Sequence, residues 1–194
     1  MGVDGPYINQ QHLMIDADEF RAADLSQPIS LGRRFDLVQS LEVAEHLPGS
    51  GARDFIGTLT AHGPLVMFSA AVPGQGGEHH INEQPLEYWR EKFREHGYSA
   101  IDCVRPEAVQ NARIQPWYRY NTVLYAEIGH LEKTSDRVRS FRVAEYQRLH
   151  DFWPLSERIR HAVVRQLPSG AVDYLSRRKA LLEVRKAKSV GSWS

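Results

Sequence analysis

The chain has 194 residues, of which 42% are hydrophobic and 25% charged, with 24 basic against 24 acidic side chains. This composition is that of an ordinary globular protein, and it excludes disordered, collagen-like and simple repeat classes. The length predicts about one domain with its own core. Cys103 is the single cysteine, which excludes internal disulfides and multi-cysteine zinc sites and favours a cytoplasmic location. The longest apolar run, 65–72, is shorter than the roughly 20 residues that span a bilayer, so we expect no membrane partner.

The net charge of zero conceals two regions of opposite sign. Residues 1–130 contain 10 basic and 17 acidic side chains, whereas residues 131–194 contain 14 and 7. A basic tail behind an acidic body is able to bind nucleic acid or anionic lipid. The simpler interpretation, which we favour, is that the tail packs its positive face on the negative body.

Short apolar runs alternate with helix-like stretches through the first 130 residues. Four runs are predicted as strands, at 35–41, 65–72, 100–104 and 122–128, and the second is apolar enough to be buried on both faces. Residues 53–62 and 85–96 have helical spacing, and Gly63 and Gly97 stand where those helices would end. This alternation predicts an α/β fold with mostly parallel strands and an antiparallel pair at the end.

The region after Ser135 has apolar residues at helical spacing, interrupted at Pro154 and at 168–170. These interruptions predict three helices. We therefore divide the chain into a sheet domain at 1–130 and a basic helical extension at 131–194.

Two acidic residues stand at the ends of short predicted strands. Asp4 lies in the sequence GVDG, and Asp24 lies in RAADLS. Ligands of open α/β sheets bind beyond the carboxyl ends of strands, where an acid is able to bind both hydroxyls of a ribose. For either acid alone, turn formation or helix capping is the alternative role.

A denser group of candidate ligands follows the strand at 35–41. In SLEVAEH, Glu42, Glu45 and His46 would share one face if the segment is helical, and two carboxylates with an imidazole are able to bind a divalent metal. A solvated polar face is the alternative. The glycine-rich run PGQGGEHHINEQ follows the strand at 65–72, which predicts a substrate-facing loop carrying His79 and His80. The sequence contains no phosphate-loop or dinucleotide motif and no H-E-x-x-H or G-x-S-x-G.

The order of these motifs resembles class I S-adenosylmethionine-dependent methyltransferases. The series GVDG, AADLS, FDLVQSLEVAEHLP, LVMFSAAVPGQGG and HINEQPLEYWREKFREHGY covers about residues 1–127. The resemblance implies a Rossmann-like sheet with S-adenosylmethionine as cofactor. It assigns Asp4 to the ribose hydroxyls, Asp24 and Leu25 to the adenine edge, and Ser40 and Leu41 to the methionyl side.

Within that family, the Glu-x-x-Glu-His element is similar to that of ubiquinone-pathway O-methyltransferases and small-RNA 2′-O-methyltransferases, some of which bind a divalent metal there. The resemblance implies a site for a cation such as Mg²⁺ at Glu42, Glu45, His46 and His80, with His79 the less favoured histidine. The cation would position an acceptor hydroxyl and lower its pKa. Without metal, His46 or His80 would be the catalytic general base.

One element of the family pattern is missing. The first strand and its glycine-rich turn, which should precede GVDG, are not found, although the family's strand order of 3-2-1-4-5-7-6 places that strand centrally. We therefore expect an incomplete methyltransferase domain at 1–130, with an empty position between two strands whose edges are unpaired. Three explanations are open: an internal start within a longer gene, which we favour, a degenerate fragment, or another segment that fills the position.

These observations are compatible with two functions. The first is an O-directed methyltransferase acting on a small-molecule or glycan-type hydroxyl acceptor and active only when the preceding portion is supplied, with Trp117, Tyr118 and Tyr120 as one acceptor wall. The second is a non-catalytic interaction module whose basic tail contacts a partner or anionic polymer. The cations of that tail are Arg177, Arg178, Lys179, Arg185, Lys186 and Lys188. Few aromatic residues interrupt them, so nucleic acid is the less favoured partner.

Overall fold

The computed structural model describes residues 1–168, 170–178 and 181, and it has a mixed α/β architecture. A two-stranded parallel sheet joins β1 (Gly2–Asp4) to β2 (Phe20–Ala22). A four-stranded sheet has the order β3-β4-β6-β5. Its strands are β3 (Val38–Leu41), β4 (Leu65–Ser69), β5 (Tyr98–Ile101) and β6 (Val123–Glu127). Strands β3 and β4 are parallel, whereas β6 is antiparallel to both of its neighbours.

The four predicted strands of the larger sheet are confirmed with different bounds: three are shorter than predicted, and β5 begins two residues before the predicted 100–104 and ends three residues earlier. The run at 65–72 is longer than β4 because Ala70, Ala71 and Val72 are buried beyond the ladder. The antiparallel pair at the end is confirmed in β5 and β6. The prediction of mostly parallel pairing is wrong, since β6 also pairs antiparallel with β4.

The core is built on β4 and two helices, α1 (Ala52–His62) and α2 (Leu86–Glu95). Neither end of either helix differs from its predicted position by more than one residue. Phe68 of β4 is buried among aromatic rings, and Phe93 of α2 stacks on Tyr125 of β6 with ring centroids 3.8 Å apart. The helices thus cover the sheet with apolar side chains, and burial of this kind is the main stabilising contribution in such folds.

Within the described residues, five further α-helices follow β5. These are α3 (Arg105–Ala108), α4 (Pro116–Asn121), α5 (Asp136–Arg139), α6 (Leu155–Val164) and α7 (170–178). The three helices predicted after Ser135 correspond to α5, α6 and α7. In the segment before Pro154 only α5 is helical, because the chain then pairs with the free edge of β5, where the Val143 N–H donates to the carbonyl of Ala100 at 2.9 Å. None of the described helices is long and apolar enough to cross a membrane.

A cavity of about 520 Å³ borders both sheets. Its walls include Gly2 and Val3 of β1, Ser40 and Leu41 of β3, and Leu59 of α1. Within the described residues, β1 has β2 as its only strand neighbour and β3 has only β4, so one edge of each is unpaired.

Candidate functional site

The site begins where β3 and β4 end side by side, because Leu41 is in register with Ser69. Directly after β3, Glu42 has a positive φ of 54°, which is uncommon for a residue other than glycine. Two contacts fix this conformation. The Glu42 N–H donates to the carbonyl of Ser69 at 3.0 Å, and the Ser69 hydroxyl donates to Glu42 Oε1 at 2.8 Å.

The turn that follows carries the next two candidate ligands. Ala44–His46 is a single 3-10 turn, so the expectation of one helical face at 42–46 is wrong. The alternative of a solvated polar face is also wrong for Glu45, which is 0% exposed. Its two carboxylate oxygens are buried with no hydrogen-bond partner among the described residues. Burial and the neighbouring Glu42 carboxylate raise the pKa of Glu45 to about 8.

The glycine-rich loop after β4 brings His80 to this turn. The backbone N–H groups of Ile81 and Asn82 donate to the carbonyl of Glu45 at 2.9 and 3.0 Å. As a result, the candidate ligand atoms of Glu45, His46 and His80 all lie within 4.8 Å of one another. Glu45 is buried, His80 is half-buried and His46 is exposed, so the cluster reaches solvent on one side.

Each imidazole has one nitrogen already engaged. His46 Nδ1 lies 3.2 Å from the carbonyl oxygen of His79, and His80 Nδ1 lies 2.9 Å from Glu83 Oε1. Because these oxygens only accept, each Nδ1 carries a proton, and in the neutral ring Nε2 carries the lone pair. Burial, with the nearby His80, lowers the pKa of His46 and favours its neutral form. Both rings are therefore arranged as metal-binding histidines commonly are.

The side chain of Glu83 holds the glycine-rich loop in place by hydrogen bonds. Its carboxylate accepts the N–H groups of Gly74 at 2.7 Å and Gly76 at 2.8 Å, in addition to His80. Burial opposes its ionisation, but these hydrogen bonds outweigh burial and hold the pKa of Glu83 below its ordinary value. Sequence reasoning missed this residue, although a carboxylate shortly after a run of glycines is a signal for such an anchor.

The structure separates the predicted metal ligands into two groups. Glu42 lies beside the three-residue cluster but binds other side chains, accepting from Ser69 at one oxygen and from Gln75 Nε2 at the other, at 2.9 Å. Burial raises the pKa of Glu42, as it does for Glu45. His79 contributes its carbonyl and is outside the group.

The predicted cofactor residues are also divided. Leu25, Ser40 and Leu41 line the cavity between the sheets, and the Ser40 hydroxyl is buried with no partner among the described residues. Asp4 and Asp24 are not among the cavity walls.

Both of these acids make local turn contacts instead. Asp4 Oδ1 accepts the Gly5 N–H at 2.7 Å, and Asp24 Oδ1 accepts from Ser26 at both the backbone N–H and the hydroxyl. Such contacts are those of the turn-forming alternative.

One residue of the predicted aromatic wall, Tyr120, packs in the protein interior. Tyr120 is buried, and its ring lies 4.5 Å from that of Trp153. The neighbouring Asn121 donates to Gln75 Oε1 at 2.8 Å and accepts from Trp153 Nε1 at 3.1 Å. Together with the Gln75–Glu42 contact, these bonds form a buried network from β3 to the C-terminal region. Sequence reasoning missed Gln75 and Asn121.

No protein-family profile, curated protein or solved structure matches the chain.

Proposed function

We propose that this chain is the body of a divalent-cation-dependent O-methyltransferase that takes S-adenosylmethionine as cofactor and a small-molecule or glycan-type hydroxyl as acceptor. The proposal is carried by one observation. The fully buried carboxyl group of Glu45, which has no hydrogen-bond partner among the described residues, lies beside two imidazoles at the carboxyl ends of β3 and β4. A buried carboxyl group is costly to ionise, as the raised pKa of Glu45 reflects, and a bound cation would offset that cost.

The donor set fits a divalent cation. Glu45 offers a carboxylate oxygen, and His46 and His80 offer Nε2. A Cβ on Gly77 would lie 2.1 Å from His80 Nε2, so the glycine keeps this nitrogen accessible. Two imidazoles with one carboxylate suit Mn²⁺ or Zn²⁺ better than Mg²⁺, which prefers oxygen ligands.

The methyltransferase assignment is supported by the strand arrangement. The order β2-β1, a gap, then β3-β4-β6-β5 is what the resemblance expects when the central strand is not in place. Leu25, Ser40 and Leu41, which the resemblance assigns to the cofactor, line the cavity at that gap. The buried Ser40 hydroxyl has no hydrogen-bond partner among the described residues, so it is able to form a hydrogen bond with a ligand there.

Bound S-adenosylmethionine would supply an activated methyl group, and the protein's own residues would orient the acceptor and hold its proton. The cation at Glu45, His46 and His80 would bind the acceptor oxygen and lower its pKa. Where no cation is bound, the lowered pKa of His46 leaves this ring neutral, so its Nε2 would be able to accept the proton instead. The free thiol of Cys103 supports our proposal of a cytoplasmic location.

The decisive experiment titrates Mn²⁺, and separately S-adenosylhomocysteine, into the folded chain by calorimetry. We expect micromolar binding of each. Glu45→Gln should abolish Mn²⁺ binding, and the exposed Glu132→Gln should leave it unchanged. Leu25→Trp, which fills the cavity, should abolish binding of the cofactor product and leave Mn²⁺ binding intact. A folded chain that binds neither would exclude this function.

The interaction-module alternative has less support in the described residues. Arg177 of the basic tail pairs with Glu78 of the acidic body at 2.9 Å, which is the packing that we favoured for the tail. Four further cations that this alternative requires lie outside the described residues. They are Lys179, Arg185, Lys186 and Lys188.

A further inference from the structure

The C-terminal helix α7 contacts the loop directly before His80. Asp173 Oδ1 accepts the backbone N–H of His79 at 3.1 Å. Arg177 lies 2.9 Å from the Glu78 carboxylate through Nε, and 3.3 Å from His79 Nε2 through a terminal nitrogen. Three polar contacts thus join two consecutive loop residues to a helix more than ninety positions away in sequence.

These contacts hold a strained residue. His79 has a positive φ of 59°, a left-handed conformation that is unfavourable for most residues with a side chain. The loop contains Gly74, Gly76 and Gly77, so its backbone has more alternatives than most. Such a conformation persists only where the surroundings fix it.

The conformation of His79 affects both candidate histidine ligands. Its carbonyl oxygen contacts His46 Nδ1 at 3.2 Å and so sets the tautomer of that ring. Its ψ angle sets the direction in which His80 leaves the backbone. A change at this one residue would therefore move both imidazoles relative to Glu45.

We infer that α7 positions the cation site: Asp173 and Arg177 hold His79 in the conformation that orients His46 and His80 toward Glu45. The inference rests on the proposed function, because it concerns the cation proposed for these residues. Asp173 and Arg177 are positioning residues, since they act on the ligands through the loop. The C-terminal extension thus has a part in building the site as well as packing on the body.

The test compares three variants of the full chain. Asp173→Ala removes the acceptor for the His79 N–H, Asp173→Asn retains an acceptor oxygen, and Arg178→Ala is the matched control. Arg178 is adjacent to Arg177 in sequence, and its hydrogen bond is to Tyr174 of the same helix. We expect Asp173→Ala to weaken Co²⁺ affinity about tenfold, in the range seen for residues that orient metal ligands.

The visible absorption spectrum of bound Co²⁺ reports ligand geometry directly. It should change in Asp173→Ala, return toward the parent spectrum in Asp173→Asn and be unchanged in Arg178→Ala. Unaltered affinity and spectrum in a folded Asp173→Ala protein would overturn the inference.

A second measurement requires no cation. Amide hydrogen exchange at His79 should be slow in the parent and in Asp173→Asn, and fast in Asp173→Ala. If no protein binds Co²⁺ while exchange follows this pattern, the proposed function fails and the fixing of the loop by α7 stands. If exchange at His79 is the same in all proteins, the positioning role is wrong whatever binds at the site.

Discussion

The amide of Gln75 donates a 2.9 Å hydrogen bond to the carboxylate of Glu42, joining the glycine-rich loop to the residue that follows β3. The bond continues through Asn121 to Trp153. Glu42 is therefore held by buried neutral donors, whereas Glu45 beside it has none within the described residues. Two carboxylates separated by three positions in the sequence thus have different environments, and the predictions below depend on that difference.

The first prediction separates these two carboxylates by cation affinity. Glu45→Gln should abolish binding at millimolar Mn²⁺, because it removes the buried oxygen donor of the cluster. Glu42→Gln should weaken binding by about tenfold or less, since Glu42 acts on the site from outside. Calorimetric titration of both variants checks this. Equal losses would place Glu42 among the direct ligands, as the sequence resemblance implied.

The second prediction concerns stability against pH without cation. The pKa of Glu45 is about 8 in the folded chain and near 4.5 when unfolded. A raised folded pKa contributes stability that is fully present below pH 4.5 and is lost as the pH rises through 8. Because each pKa unit corresponds to about 1.4 kcal/mol, the loss should amount to a few kcal/mol.

Urea unfolding at pH 5 and pH 9, in the presence of a chelator, measures this dependence. The parent should be less stable at pH 9. Glu45→Gln should show a smaller difference, because its neutral amide does not titrate and, of the two carboxyl groups, only Glu42 then retains a pKa raised by burial. The same difference in both proteins would assign the pH dependence to other groups.

The third prediction tests access to His80. In Gly77→Ala the new Cβ would lie 2.1 Å from His80 Nε2, so the ring must move away from its contact with Glu83. We expect loss of Mn²⁺ binding with the overall fold retained. Gly129→Ala is the matched control, because nothing lies within 4 Å of a Cβ at that position. Circular dichroism and calorimetry on the two variants distinguish a local effect from unfolding.

The fourth prediction concerns the buried network. Asn121→Ala removes the partner of Trp153 Nε1 and one partner of Gln75 Oε1. Leaving buried polar groups unpaired should lower the free energy of unfolding by about 1 to 3 kcal/mol. Gln110→Ala, at an exposed position, should change it by less than about 0.5 kcal/mol. Urea unfolding provides both values, and similar values would show that the network contributes little.

Much of the fold was predictable because its elements are set by local patterns. The apolar run at 65–72 identifies β4, and helical spacing identifies α1 and α2. The local apolar pattern does not encode the antiparallel placement of β6 beside β4, because strand partners are chosen by non-local contacts, and only the strand order of the family resemblance implied it. The same reason explains the short α5, since pairing with β5 replaces the helix that spacing alone would predict.

The candidate site was predictable in its members but less so in its geometry. Residue type and the family resemblance pointed to Glu42, Glu45, His46 and His80, and the structure brings the last three together. The chain reaches this geometry through the left-handed backbone of Glu42 and the 3-10 turn that follows it. Helical spacing in the sequence predicts neither feature. The contacts of α7 with His79 depend on tertiary packing, which no local pattern encodes.

Within the part of the chain that the structure describes, β1 and β3 each have one unpaired edge, and this has a consequence for how the chain behaves in concentrated solution. Exposed strand edges are templates on which strands of other molecules add, and proteins usually protect them. The cavity between these edges has an apolar wall that would favour such addition. We therefore expect light scattering by the 194-residue chain to rise with protein concentration, and any ligand that fills the cavity to delay this aggregation.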